Sequence, residues 1–349
     1  MATLADVARR AGVSKSTVSR VVRGEAGVSE RARLRVHEAI QATGYRPNEL
    51  ARGLATGSQR QVAVVVPDIR IEFFARVVHG VEEALRPHDY LVLVLNSGED
   101  IGRLKECVSA AVQTRVAGLV MVPTGYDREL RETFAALPFP AVSVIREPWT
   151  PRIDAVSYDN HAAGYLAGEH LLELGHRDIA YLQGPHASKA IRLRTEGFLA
   201  ALNDHDCTLS DEMVGAGDLT YGSGRQFAAS LLASERHFTA VFAANDTMAL
   251  GVMDQLSIAG LRVPADVSVI GVDDSLAASW PTVNLTTVRE VPEQMGSRAA
   301  LILRDRLQGW DAPPVQVVFQ PELIRRATTE RVGAAVESGP NTTRGAFGT

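Results

Sequence analysis

The stretch from Thr3 to Val22, TLADVARRAGVSKSTVSRVV, most narrows what this chain can become. Leu4, Val7, Ala8 and Ala11 fall at i, i+3, i+4 and i+7, the apolar stripe of a short helix opened by Thr3. Gly12 then supplies a tight turn. Ser14 is placed to cap a second helix whose Val18, Val21 and Val22 share a face. Two short helices hinged at a glycine predict a helix-turn-helix, which lays its second helix in the major groove of DNA. The opposite face carries Lys15, Ser16, Thr17, Ser19 and Arg20: hydroxyls and two cations, suited to base edges and phosphates. From these residues alone, a helical hairpin with a solvated charged face is the plainer alternative.

Charge favours the DNA reading. The chain of 349 residues has a net charge of −5, yet residues 1–60 hold eleven Lys/Arg against five Asp/Glu. A basic head of +6 therefore precedes an acidic remainder of −11. Ser29 opens a third helix, with Val36, Ala39, Ile40 and Thr43 in register and Gly44 ending it. The segment PNELARGL that follows places Leu50, Ala51 and Leu54 on one face of a helix two turns long. Such a helix is marginal alone, and Gly53 costs it about 1 kcal/mol more, so it suits a linker that folds on its target.

Residues 3–21 carry T-x-x-D-V-A-x-x-A-G-V-S-x-x-T-V-S-R-V whole, and in this the chain resembles the LacI/GalR family of bacterial transcriptional regulators. The resemblance implies specific roles. Lys15 and Ser16 would choose bases, Arg20 would meet a guanine or a nearby phosphate, and Ser14, Thr17 and Ser19 would fix register, with Thr3 also in the expected DNA-binding set. It also implies a hinge helix formed on DNA, in which Leu54 wedges into the central base step with Asn48 and Ala51 beside it. An apolar wedge of this kind bends the duplex and reads its deformability.

From Gln61 onward, short β-branched runs alternate with helical patterns. Strands are expected at Val62–Val66, Tyr90–Leu95, Gly118–Val122 and Ala141–Ile145, and again at Ile179–Leu182, Thr239–Ala243, Val267–Val272 and Val315–Phe319. Helices are expected near 73–86, 101–114, 127–137, 160–174, 189–203, 222–233, 246–259 and 293–307. The alternation, with its restart, predicts two Rossmann-like subdomains with parallel sheets. The fold class expected is thus a small all-α helix-turn-helix head followed by an α/β core resembling the periplasmic-binding-protein fold. That resemblance implies three crossings between subdomains, placed near 158, 288 and 320. The expected division is a DNA-binding head at 1–46, a hinge and linker at 47–60, and a ligand-binding and dimerisation core at 61–331. Within the core, 61–157 and 289–319 form one subdomain, and 158–287 and 320–331 the other. A disordered tail follows at 332–349.

Ligands of open α/β sheets bind beyond the carboxyl ends of the strands. Of the Phe73-Phe74 pair, Phe73 is assigned to the core and Phe74 to stacking on a ligand. The resemblance matches Asp159 to a D-N step at the cleft mouth, Arg194 to G-P-x9-R-x-x-G-F, Asn245 to N-D-x-M-A-L-G, and Asp273 to G-x-D-D. Arg146, after the fourth strand, joins the expected effector-binding set. Asp246 is given the blander role of capping the next helix. Guanidinium, amide and carboxylate together suit a polyol. Two departures concern ligand identity. Ile145 stands where many sugar-responsive members have Asp, and Leu219 stands where purine-responsive members have an aromatic. The expectation is a sugar or sugar-derived effector, with a nucleoside or purine as the alternative.

No cofactor or metal is expected. Gly215-Ala216-Gly217 lacks the third glycine of a dinucleotide fingerprint, and no G-x-S-x-G, H-E-x-x-H or phosphate loop occurs. Cys107 and Cys207 have no metal spacing and are assigned to the core. A chain without an apolar run of about 18 residues and without an apolar leader is expected in the cytoplasm, at the nucleoid. A sugar-capturing transport protein would share residues 61–330 in fold but would lack the head. A sugar kinase would need the missing phosphate loop. The expected partners are double-stranded operator DNA, a small-molecule effector and a second copy of the chain, as a homodimer or a tetramer, with no membrane.

Overall fold

The structure, a computed structural model, describes residues 2–22, 27–45, 60–98, 100–123, 128–145, 153–186 and 188–333. The expected hinge residues Asn48, Ala51 and Leu54, and the expected cleft residue Arg146, lie outside them. The chain divides into two compact units, Met1–Arg60 and Gln61–Thr349.

The first unit contains α1 (Leu4–Ala11), α2 (Lys15–Val22) and α3 (Glu30–Thr43). Val7, Ala8, Ala11, Val18, Val21, Val36 and Ala39 close into one small core. Gly12 and Gly44 end α1 and α3 in the left-handed region, at φ of 64° and 63°. Ser29 caps α3 by accepting from the Ala32 amide.

The second unit is built on two six-stranded sheets. The first runs in the order β11-β5-β4-β3-β1-β2 and is parallel throughout. Its strands are β1 (Gln61–Val66), β2 (Leu91–Asn96), β3 (Gly118–Met121), β4 (Ala141–Ile145), β5 (Asp154–Tyr158) and β11 (Gln316–Phe319). The second sheet, β12-β10-β9-β8-β6-β7, has one antiparallel edge strand, β12. It comprises β6 (Ile179–Gln183), β7 (Val214–Ala216), β8 (Ala240–Ala243), β9 (Ser268–Asp273), β10 (Thr286–Arg289) and β12 (Glu322–Ile324). Val62 to Val66 are buried without alternation, as expected of a parallel strand covered on both faces.

Between the strands lie α4 (Glu72–Leu85), α5 (Ile101–Gln113), α6 (Arg128–Ala135), α7 (Asn160–Glu173), α8 (Lys189–Asp204), α9 (Tyr221–Ala233), α10 (Asp246–Ile258) and α11 (Pro292–Leu307). α4 packs on α11, α7 on α8, and α9 on α10. The chain leaves the first sheet after β5, returns to it after β10, and leaves again after β11. These passages are tied together: the Asp159 amide donates to Phe319 O at 3.0 Å, and the Tyr158 hydroxyl to Arg289 O at 2.9 Å.

Four strands, β5, β7, β10 and β12, are additional to those expected from sequence. β7 and β12 have three residues each, too short for a period to register. β5 (DAVSY) and β10 (TTVR) mix polar and apolar residues, yet are almost wholly buried. The Val332 amide donates to Leu174 O at 3.1 Å, so hydrogen-bonded backbone runs into the segment expected as tail. Cys107 and Cys207 are half-buried beside the core rather than within it. Among the described residues no helix is long and apolar enough to cross a membrane.

Candidate DNA-reading helix and effector cleft

In the head, local hydrogen bonds set the first two helices. The Asp6 amide donates to Thr3 Oγ1 at 3.3 Å, and the Thr3 amide to Asp6 Oδ2 at 3.0 Å, a reciprocal cap. The bond from the Thr3 hydroxyl is the main influence holding the Asp6 carboxyl below its ordinary value. Ser14 Oγ accepts from the Thr17 amide at 3.0 Å and lies 2.7 Å from Ser16 Oγ and 2.8 Å from Thr17 Oγ1. Three hydroxyls expected at DNA are thus joined in one network at the start of α2. With Val18 and Val21 buried, Lys15, Ser16 and Arg20 are exposed, and Thr17 and Ser19 are half-buried. Gly27 is left-handed (φ 89°), and a Cβ there would come within 2.9 Å of Arg20 Nη2. A bare glycine leaves room for that guanidinium.

In the core, an aromatic cluster seats α8. Tyr181 on β6 stacks on Phe242 of β8 with ring centroids 5.0 Å apart, and Phe198 packs against both rings. Tyr181 Oη lies 2.8 Å from Thr195 Oγ1. The residue before Thr195 is thereby fixed at the strand ends. That residue is Arg194, whose side chain is only 5% exposed.

Arg194 Nη2 donates to Asn160 Oδ1 at 2.6 Å and Glu290 Oε1 at 2.5 Å, and Nη1 to Ala244 O at 2.5 Å. Its Nε is buried with no hydrogen-bond partner among the described residues. Asp273 lies close enough for its charge to act on Arg194. Burial, then the charges of Glu290 and Asp246, push the Asp273 carboxyl well above the ordinary range, against the pull of Arg194. Burial likewise raises Glu290, and Arg194 opposes it. The loop after β9 is strained: Asp273 and Asp274 have φ of 127° and 52°, values that favour glycine. It is held by the Ser275 amide donating to Asp246 Oδ2 at 2.8 Å, and by Asp274 pairing with Arg289 and Arg326.

The structure therefore brings Arg194, Asp273 and the Ala244-Asn245 turn together at one end of the second sheet. The first sheet's side reaches the same loop: the Leu276 amide donates to Glu72 Oε1 at 3.0 Å, and Arg76 Nη1 to Asp274 O at 3.4 Å. Phe73 and Phe74, next along α4, are both half-buried and meet edge to face at 5.6 Å, so the expected division between core and ligand roles does not show in their burial.

Two capping roles differ from expectation. Asn245, not Asp246, caps α10: its Oδ1 accepts from the Met248 amide at 2.9 Å, and its Nδ2 donates to Leu219 O at 3.2 Å. Asp246 is fully buried, accepts from Thr287 Oγ1 at 2.6 Å, and is pushed up to about 7, chiefly by burial. Asp159 Oδ1 caps α7, accepting from the Ala162 amide at 2.9 Å. Glu290 and Asn160 are the residues that sequence reasoning missed. A Glu just past a short strand carries no sign in one sequence that it will be buried, and the D-N step pointed to Asp159 rather than its neighbour. Among the described residues, His79, Glu82 and Glu83 are spaced to hold a metal. Arg86 already pairs with both carboxylates there, which makes an ion-paired helix face.

Comparison with known proteins agrees with both units. Residues 3–48 match the family described as bacterial regulatory proteins, lacI family, and residues 169–329 a periplasmic binding protein-like domain. The HTH-type transcriptional repressor PurR of Mannheimia succiniciproducens is 32% identical over 335 residues, 95% of this chain and all of that protein. The Lac repressor dimer bound to operator and the anti-inducer ONPF superposes with a TM-score of 0.86 at 30% identity, over 94% of this chain and 99% of that one. The CelR–cellobiose complex gives a TM-score of 0.70 at 32% identity, over 94% of this chain and all of that one. Head, two-sheet core and full-length likeness to repressors that are not enzymes lead to one assignment: this chain belongs to the LacI family of bacterial regulatory proteins and is a DNA-binding transcriptional repressor.

Proposed function

We propose that this repressor binds a pseudo-palindromic operator as a homodimer and is controlled by a sugar-type effector held between the two sheets. The observation that carries the effector class is the polar end of the cleft. Arg194, Asp273 and the Asn245 turn meet there, while the neighbouring wall offers the aliphatic Leu219. Leu219 packs so closely on Gly184 that a Cβ there would lie 2.7 Å from Leu219 Cδ2. Donors and acceptors without a flat ring at that wall suit hydroxyls better than a base. The cellobiose bound in CelR, similar over 94% of this chain, supports the same class.

A purine effector is the second reading. It is favoured by relatives named PurR that match 93–95% of the chain. The test is a thermal-shift screen of the full chain against sugars, polyols, nucleosides and nucleobases. An effector at a hundred times its Kd adds about 2.7 kcal/mol of apparent stability. The expected hit is a sugar that also changes operator affinity in a gel-shift assay. A base as the sole hit replaces the first reading with the second.

A further inference from the structure

The effector's charge is legible from the residues that hold Arg194, given the cleft reading above. The guanidinium and its partner Glu290 are equally withdrawn from solvent, with side chains 5% and 6% exposed. Glu290 Oε1 sits 2.5 Å from Arg194 Nη2, and the Asp273 carboxyl is close enough to act on both. The backbone ties the two acids as well, since the Glu290 amide donates to Asp273 O at 3.4 Å. One buried cation is thus already paired with a buried carboxyl at hydrogen-bond distance, with the Asp273 carboxyl beside it. Arg76, the cation reaching the same loop from α4, is itself paired with Glu293 and Glu72.

An incoming phosphate or carboxylate would have to displace Glu290 from Arg194 or sit beside it, and buried like charges repel strongly. A hydroxyl or carbonyl oxygen faces no such barrier, and the buried Nε of Arg194 is a donor with no partner among the described residues. We propose that Glu290 is a specificity residue: by pairing with Arg194 it closes that guanidinium to anionic groups and makes the cleft selective for an uncharged effector. The buried ion pair would then serve recognition rather than stability, since apolar replacements of such pairs are often no less stable.

The test titrates the full chain, by calorimetry, with glucose and glucose 6-phosphate, ribose and ribose 5-phosphate, and inosine and inosine 5′-monophosphate. Wherever a pair binds, the neutral member is expected to be at least about tenfold tighter. Glu290→Gln, which keeps an oxygen for Arg194 but removes the charge, is expected to close most of that gap. A phosphorylated member that binds wild type as tightly as its neutral counterpart overturns the proposal, and so does an unchanged gap in the variant. If Glu290→Gln does not fold, the wild-type gap decides. If no member of any pair binds, the effector class is decided by the wider screen above while Glu290 is still tested, now with inorganic phosphate alone. Phosphate is then expected to raise the Tm of Glu290→Gln and not that of wild type. A rise in wild type, or in neither, overturns the role of Glu290.

Discussion

Under the proposed reading of the cleft, Arg194 is where packing and recognition share one side chain. It is legible in sequence because Gly184-Pro185 and Gly197-Phe198 stand around it at the spacing of the family pattern. Its partners were not, because Asn160 and Glu290 lie 34 and 96 residues away and meet it only through the fold. The same distinction separates Asn245 from Asp246. Either could cap α10, and only burial against Thr287 decides that Asp246 goes inward. Arg194→Ala is expected to lower the unfolding free energy by about 3–5 kcal/mol, since it leaves Glu290 buried without its cation. Urea unfolding reads this directly, and a loss below about 1 kcal/mol would mean that Glu290 simply takes up a proton at little cost. Asp273→Asn is the cleaner probe of recognition. It keeps the shape at the strained turn and is expected to abolish the effector-induced change in operator affinity while leaving basal operator binding intact.

At the scale of elements, the strongest periodic patterns read true: within the described residues, each expected helix and strand of the core has its counterpart within a residue or two, while the expected hinge helix lies outside them. The misses are β7 and β12, too short for a period, and the polar strands β5 and β10, whose burial comes from neighbours rather than from their own alternation. A regularity emerges that the sequence did not announce. Each of the three packed helix pairs crosses at a glycine from both partners: Gly80 with Gly296, Gly164 with Gly197, and Gly224 with Gly251. At each of these a Cβ would run into the facing backbone, such as Arg194 O for Gly164 and His161 O for Gly197. The α7–α8 crossing thereby sets the depth at which Arg194 reaches the strand ends. Gly164→Ala is expected to force that pair apart, costing about 1–3 kcal/mol as overpacked sites do. Because the collision is with the backbone of Arg194 itself, effector affinity should fall with stability. A variant whose Tm drops while its effector affinity is unchanged would separate the crossing from the site.

Across the whole molecule, the segment after β12 closes the second sheet as a strap. The Val269 amide donates to Thr328 O at 2.7 Å and Thr328 Oγ1 donates to Val269 O at 2.7 Å. His170 Nε2 lies 2.9 Å from Thr329 Oγ1, and His176 lies 3.0 Å from Glu330 O. Both imidazoles are pushed down, foremost by burial, His170 to about 4 from an ordinary 6.5. At these two imidazoles the unfolded chain therefore binds more protons than the folded one over the interval between the two values. The stability contributed by neutral His170 is complete above pH 6.5 and is lost as pH falls towards 4. Asp246, raised to about 7 from 3.8, acts with the opposite sign: its contribution is complete below pH 3.8 and is lost as pH rises through 7. The bare pH profile mixes the two, and a difference separates them. His170→Gln keeps a group able to bond Thr329 but does not titrate, so its Tm is expected to fall less than that of wild type between pH 6.5 and 4. The two profiles should run parallel above pH 6.5. Parallel profiles through the whole interval would mean that acid reaches this imidazole without loosening the strap.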